Sequence, residues 1–206
     1  MLSEINIMIN KFMFSDDFNP HFLYNTLDMI NWMAQKNETD NIRSVVQSMS
    51  GFYRLTLSRG QDIVPIGDEV RMCEAYIEIQ KRRYRGRILY EADVDREILD
   101  CLIPKITLQP FLENAIVHGF EKADGNYTLS IIGSRDDTHM TFQVIDTGAG
   151  MSEEQMKAIW DKADSRKYAS QRIGRYAIKN VKERLELIYH ENYELHINSR
   201  IGQGTT

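Results

Sequence analysis

Leu23, Leu27, Ile30 and Ala34 recur at three- to four-residue spacing, which predicts a helix with a single apolar stripe. Asn19 is a good N-cap and Pro20 suits the first helical position, so the helix should begin there. His21, Asn25 and Asp28 fall on a separate, more polar stripe. After a polar break at 37–40, a second helical pattern puts Ile42, Val45, Val46, Met49, Phe52 and Tyr53 on one side. Such a hairpin buries little by itself, so pairing with a second copy into a four-helix bundle is expected.

Residues 60–67 read as a connection and candidate hinge, after which Asp68 can cap a third helix with Val70, Cys73, Ile77 and Gln80 on one face. Beyond Gly86 the texture changes. Residues 88–94 read as a strand, 105–119 as a helix with Pro104 just ahead of it, and 127–132 and 140–145 as two strands. Ser152, with Glu154 and Gln155 in the first turn, predicts a short helix over 152–160. The stretch 161–171 is polar. Ile178, Val181, Leu185 and Ile188 define a last helix, and 193–198 a last strand. The predicted fold class is α+β: a helical hairpin over 1–60, then an α/β two-layer sandwich over 61–206.

Composition changes this picture little. With 42% hydrophobic and 27% charged residues, a 206-residue chain can bury a real core. A net charge of −5 argues against a nucleic-acid-binding surface. The local exception, Lys81-Arg82-Arg83-Tyr84-Arg85, reads as a solvated helix end. Cys73 and Cys101 are too far apart for a CxxC motif and read as reduced thiols. No apolar run approaches the roughly 18 residues that cross a bilayer. The first ten residues lack a basic n-region, so no signal peptide is expected.

Three segments carry candidate chemistry. In Asp146-Thr147-Gly148-Ala149-Gly150, an acid at a strand end can accept a hydrogen bond from an exocyclic amine such as that of adenine. Gly148 and Gly150 would let the backbone approach a flat ligand closely. Taken alone, the segment also fits an ordinary strand-to-helix turn. Glu113 and Asn114 share one helical turn: Asn114 could offer its amide oxygen to Mg²⁺, and Glu113 could orient or deprotonate a nucleophile. Flanking Leu108, Phe111, Leu112 and Ala115 imply that the pair is partly buried, where it needs a partner or ligand. His118 follows on the same helix, within reach of phosphates. His21, in a helix's positively charged first turn, is suited to be a neutral nucleophile and later an anionic phosphohistidine, with Asn25 one turn on to orient the ring. His139, His190 and His196 have no matching partner and read as structural. Near the end, Gly202-Gln203-Gly204-Thr205 could turn the chain back into the sheet, with Gly204 and Thr205 lining the pocket.

In order and wording these motifs resemble the LytS-type sensor histidine kinases of bacterial two-component systems, over nearly the whole chain from Phe18 to Thr206. Asn19-Pro20-His21-Phe22-Leu23-Tyr24-Asn25 is similar to that family's phosphoacceptor motif, 108–118 to its N-box and 146–151 to its first glycine box. Residues 180–185, beginning with Asn180, are similar to the helix after its second glycine box. The resemblance implies the ATP-binding fold of gyrase and the histidine kinases, with ATP and Mg²⁺ as cofactors. It implies His21 as phosphoacceptor; because Phe22 rather than an acid follows the histidine, the base is left unidentified, with Glu113 the candidate and Asn25, from its spacing, the candidate orienter. Nucleotide contacts would come from Asn114 (through Mg²⁺), His118, Asp146, Gly148, Gly150, Gly174, Arg175, Asn180, Gly204 and Thr205. The implied partners are a second copy, joined through the hairpin, and the receiver domain of a response regulator. The implied location is the cytoplasmic side of a bacterial inner-membrane sensor, with membrane-spanning segments and a final strand beyond this chain. Arg175 and Ala177 stand where the second glycine box usually has glycines, and Val117 stands where the N-box often has Lys. The Arg175 and Ala177 positions motivate one alternative, a degenerate scaffold or phosphatase that binds nucleotide weakly; a second is a non-histidine ATPase or protein-serine kinase of the same fold, in which His21 would be dispensable.

Overall fold

The structure is a computed structural model that describes residues 20–57, 61–120, 125–160 and 172–206. Helices α1 (Pro20–Gln35) and α2 (Thr39–Leu57) form the expected hairpin. Its turn is closed by Asn37, whose left-handed φ of 58° suits asparagine. Strand β1 (Ile63–Pro65) leads directly into α3 (Ile66–Arg83), and β2 (Ile88–Val94) follows. Next come β3 (Leu102–Pro104), α4 (Gln109–Asn114), a π-helical turn (Ala115–Phe120), β4 (Tyr127–Arg135) and β5 (Met140–Asp146). The chain continues with α5 (Glu153–Trp160), α6 (Arg172–Tyr189), β6 (Ser199–Arg200) and β7 (Gly204–Thr205). The main sheet has the order β2-β4-β5-β7-β6, with β2 and β4 parallel and the other pairs antiparallel.

The hairpin finds a partner within its own chain. Phe22 and Phe52 are buried against Tyr76 of α3, with ring centroids 5.0 Å (Phe22–Tyr76) and 5.2 Å (Phe22–Phe52) apart. Edge and tilted aromatic pairs of this kind contribute about 0.5–1.5 kcal/mol each beyond the area they bury. Arg82, placed by sequence in a solvated helix end, instead ties α3 to α2 through Asn41 Oδ1 (3.2 Å) and Ser44 Oγ (2.5 Å). The core is continuous from this cluster through Val70, Cys73 and Ile77 to Ile88, Leu129 and Ile131 of the sheet.

Four local expectations need correction. Most of the 60–67 connection is ribbon and helix, because β1 pairs antiparallel with β3 in the register Ile63↔Pro104 and buries Val64. Asp68 does not cap α3. The Ile66 and Gly67 N–H groups are taken by the Cys101 and Leu99 carbonyls at 2.9 Å, so the helix starts three residues earlier, with Pro65 at the N-cap. The helix predicted over 105–119 begins only at Gln109, since Ile106 is left-handed (φ 59°), and it widens into the π turn at Ala115. Residues 193–198 are not a strand: among the described residues only Asn198 finds a backbone partner, Thr206, and the short β6 follows. The capping box of α5 forms as expected, with Ser152 Oγ accepting from Gln155 N–H and Gln155 Oε1 accepting from Ser152 N–H.

Candidate functional site

Asp146 closes β5 and is buried. Its Oδ1 accepts the Gly148 N–H at 2.7 Å, which folds the 146–148 backbone back on the carboxyl. Burial pushes this carboxyl above the ordinary aspartate range, while hydrogen bonds from the Gly148 and Thr205 backbone and from the Thr205 hydroxyl pull it down.

Two glycines thin the wall beside the acid. A Cβ on Gly148 would lie 2.6 Å from the Gly119 Cα and 2.8 Å from Asp146 Oδ1. The reciprocal Cβ on Gly119 would lie 2.9 Å from the Tyr127 hydroxyl and 3.3 Å from that same oxygen. Backbone therefore packs on backbone here, and Ala149 N–H donates to the Gly119 carbonyl at 3.2 Å. The Tyr127 hydroxyl, meanwhile, donates to the Ala115 carbonyl. The π turn and the Asp146 loop are thus one locus, with His118 exposed beside Gly119. Such π segments concentrate at functional sites. Gly119 and Tyr127 were not singled out by sequence; only the neighbouring His118 pointed to this turn.

Gly150 and Gly204 adopt φ values of 64° and 86°. A Cβ at Gly150 would fall 1.9 Å from the Arg200 carbonyl oxygen, and one at Gly204 would fall 1.8 Å from the Asp146 carbonyl oxygen. Gly204 lets β7 lie against β5 in the register Asp146↔Thr205, with Ser199 Oγ 2.8 Å from Thr205 Oγ1. Gly204→Ala combines a disfavoured φ with this clash, so we expect a loss of about 2–4 kcal/mol in denaturant unfolding. A variant within about 0.5 kcal/mol of wild type would contradict this packing.

Glu113 and Asn114 are half-buried, as their apolar neighbours implied. Gln109, buried one turn earlier, donates from Nε2 to Glu113 Oε1 at 2.7 Å. The Glu113 charge lies close enough to α3 to raise the Tyr76 hydroxyl, second only to burial. Tyr76 in turn packs on Phe22, the residue after His21. Asn25 lines a shallow crevice between α1 and α3 with Phe22, Gln80 and Arg83. His21 and Asn25 stand one helical turn apart on α1. Gly174 and Arg175 lie in the first turn of α6, where the helix runs unbroken from Arg172, and Asn180 is exposed further along it. Residues 161–171 lie outside the described residues.

Residues 103–206, half of the chain, match the family model described as "Histidine kinase-, DNA gyrase B-, and HSP90-like ATPase", and residues 13–88 match the one described as "Histidine kinase". The chain belongs to this ATPase family, on its histidine-kinase branch. It is 35% identical over 91% of its length to "Sensor histidine kinase YesM" of Bacillus subtilis (strain 168), and 31% identical over 88% to "Sensor protein LytS" of Oceanobacillus iheyensis. It spans only 30% and 31% of the length of those two relatives. A solved "Bacterial Phosphotransferase" shares the fold, with a TM-score of 0.58 at 14% identity, over 90% of this chain and 88% of that one. The LytS-type resemblance and the α+β fold are therefore borne out.

The residues present suit Mg²⁺. Among the described residues no group of three or more His, Cys, Asp or Glu is placed to hold a metal. Mg²⁺ that arrives on phosphates keeps several waters and takes one or two protein ligands, and the half-buried Asn114 offers one amide oxygen. Among the described residues no helix is long and apolar enough to cross a membrane.

Proposed function

We propose that this chain phosphorylates its own His21 from ATP and passes the phosphoryl group to an aspartate of a response-regulator receiver domain. One observation carries the reading. A single core joins the helix that begins at Pro20-His21, through Phe22 and Tyr76, to the Glu113-Asn114 helix and the Asp146 locus. Asp146 would accept the adenine amine, and the close Gly119–Gly148 backbone contact fixes the loop that carries it. Asn114 would hold Mg²⁺, with His118, Arg175 and Asn180 toward the phosphates. Bound Mg²⁺ would supply charge neutralisation at the phosphates, the main requirement of phosphoryl transfer. An imidazole nitrogen of His21 then bonds to the γ-phosphorus, the bond to the β–γ bridging oxygen breaks, and ADP leaves with that oxygen. The imidazole proton passes to Glu113, held in place by Gln109, while Asn25 orients the ring. Tyr24, Leu27, Val46 and Leu57 are exposed on the hairpin and suit a second copy. The chain would be part of the cytoplasmic region of a bacterial membrane-bound sensor.

The test is incubation with γ-labelled ATP and Mg²⁺. Acid-labile, alkali-stable label that moves onto a receiver domain is the expected result. Acid-stable label would point instead to a serine kinase. A second reading, a scaffold or phosphatase with weak nucleotide binding, is motivated by Arg175 and Ala177, which α6 holds in helix where the glycine box would be. It predicts no label and only weak ATP binding, so ordinary micromolar affinity would rule it out.

A further inference from the structure

We propose that Glu69, together with Arg184, is a positioning residue for the Mg²⁺-nucleotide: it fixes the 106–108 turn from which α4 presents Glu113 and Asn114. This rests on the nucleotide reading above.

Glu69 sits in the first turns of α3 and is only 1% exposed. A buried carboxylate is costly unless its oxygens are hydrogen-bonded. Here Oε2 accepts the Ile106 N–H and Oε1 the Leu108 N–H, both at 2.8 Å. Those donors belong to the turn that leads into α4, so a side chain from another helix satisfies backbone groups that no residue of α4 caps. Between them the chain does something unusual: Ile106, a β-branched residue, is held at φ 59°. Such a conformation persists only where its surroundings impose it, and it concentrates at functional sites. From the other side, Arg184 Nη2 donates to the Ile106 carbonyl at 2.6 Å. Thr107 Oγ1 donates to the Pro104 carbonyl at 2.5 Å, which links the turn to the β1–β3 ribbon.

The clamp joins three elements that the nucleotide must find in register. The first is α3, on which the His21 hairpin is packed. The second is α4, with Asn114 two turns beyond Ile106. The third is α6, which begins at the second glycine box and carries Arg184. Burial pushes the Glu69 carboxyl upward, opposed by the N–H groups of Leu108, Ile106 and Thr107 and by the Arg184 charge.

Because Gln is isosteric with Glu, Glu69→Gln leaves the packing intact but turns an amide –NH₂ toward a backbone N–H. The turn would then shift and carry Asn114 out of place. The measurement is calorimetric binding of the nonhydrolysable analogue adenylyl imidodiphosphate, with excess Mg²⁺ and with EDTA, at a temperature where thermal unfolding finds both proteins folded. Wild type should bind more tightly with Mg²⁺. In Glu69→Gln that enhancement should fall at least about tenfold, the usual scale for losing a group that orients a metal ligand. Binding in EDTA, which rests on the Asp146 locus, should change less than about twofold. If the variant keeps the wild-type Mg²⁺ enhancement, the proposal is wrong; a residue important only for stability would behave that way. Should Glu69→Gln fail to fold, Arg184→Ala, which leaves the carboxylate its two N–H donors, carries the same test with the same outcomes. A wild type that binds no analogue would sink the nucleotide reading itself, a result distinct from loss confined to the variants.

Discussion

His21→Ala reduces label incorporation from γ-labelled ATP to background and leaves nucleotide affinity within about twofold of wild type. The expectation separates acceptor from donor because the two are built from different elements. The proposed acceptor stands at the start of α1, and α1 is held by Phe22 and Thr26. Phe22 packs on Phe52 and Tyr76, and Thr26 Oγ1 bonds back to the Phe22 carbonyl at 2.7 Å. Alanine is the best helix former, so the first turn should persist without the imidazole. The proposed base-binding part of the donor site, by contrast, is built on β5, the π turn and β7. Loss of label with retained affinity would therefore identify the acceptor. Persistent acid-labile label in His21→Ala would show that another histidine accepts, and the phosphoacceptor assignment would fall. Asn25→Ala should slow labelling about tenfold at most, as expected for loss of one orienting hydrogen bond.

How much of this was legible in the sequence varied with the range of the interactions. The α1–α2 hairpin, the Ser152–Gln155 capping box and the Asp146 strand end are written in neighbouring residues, and they stand where the pattern placed them. The start of α3 was missed because its N–H groups are satisfied by Leu99 and Cys101, more than 30 residues away, so Asp68 had no capping to do. The start of α4 was missed for a related reason. Left-handed Ile106 contradicts every local preference of a β-branched residue and is imposed from outside by Glu69 and Arg184. Glu69 left one faint trace: a glutamate one helical turn from both Ile66 and Cys73, on a face that should be apolar. Strand 193–198 was overcalled because a pattern that alternates says nothing about whether a neighbour exists to pair with it. The candidate site shows the same division. Asp146, Gly148 and Gly150 announce themselves by spacing, whereas Gly119 and Tyr127 matter only through contacts across the fold.

Asp146→Asn should separate nucleotide recognition from stability, because this carboxyl pulls the two in opposite directions with pH. Its pKa in the fold is raised, chiefly by burial, above the value expected in the unfolded chain. A group shifted that way favours folding most when protonated. Its contribution is fully present below the unfolded pKa and is lost as pH rises through the folded one. At neutral pH the buried charge is thus carried at a cost. The neutral amide of the Asp146→Asn variant removes that cost and can still accept the Gly148 N–H, while its –NH₂ faces the Thr205 donors; the two effects oppose, so apo stability should stay within roughly 1 kcal/mol of wild type. The nucleotide reverses the sign. The adenine amine needs the charged acceptor, so wild-type ATP affinity should hold at neutral pH and fall as the carboxyl takes up its proton. The loss should begin above the ordinary aspartate range, because the pKa is raised. Removing a charge-assisted hydrogen bond at a buried site costs about 1.5–3 kcal/mol, so Asp146→Asn should weaken ATP binding roughly 10- to 100-fold at neutral pH. It should also erase the share of the acid-side pH dependence that this group contributes. Calorimetric ATP titrations across the acid range, paired with thermal unfolding of the apo proteins, read both signs in one series. Equal affinity in the variant, or an affinity loss matched by a loss of apo stability, would mean that Asp146 holds the 146–148 turn together rather than the base.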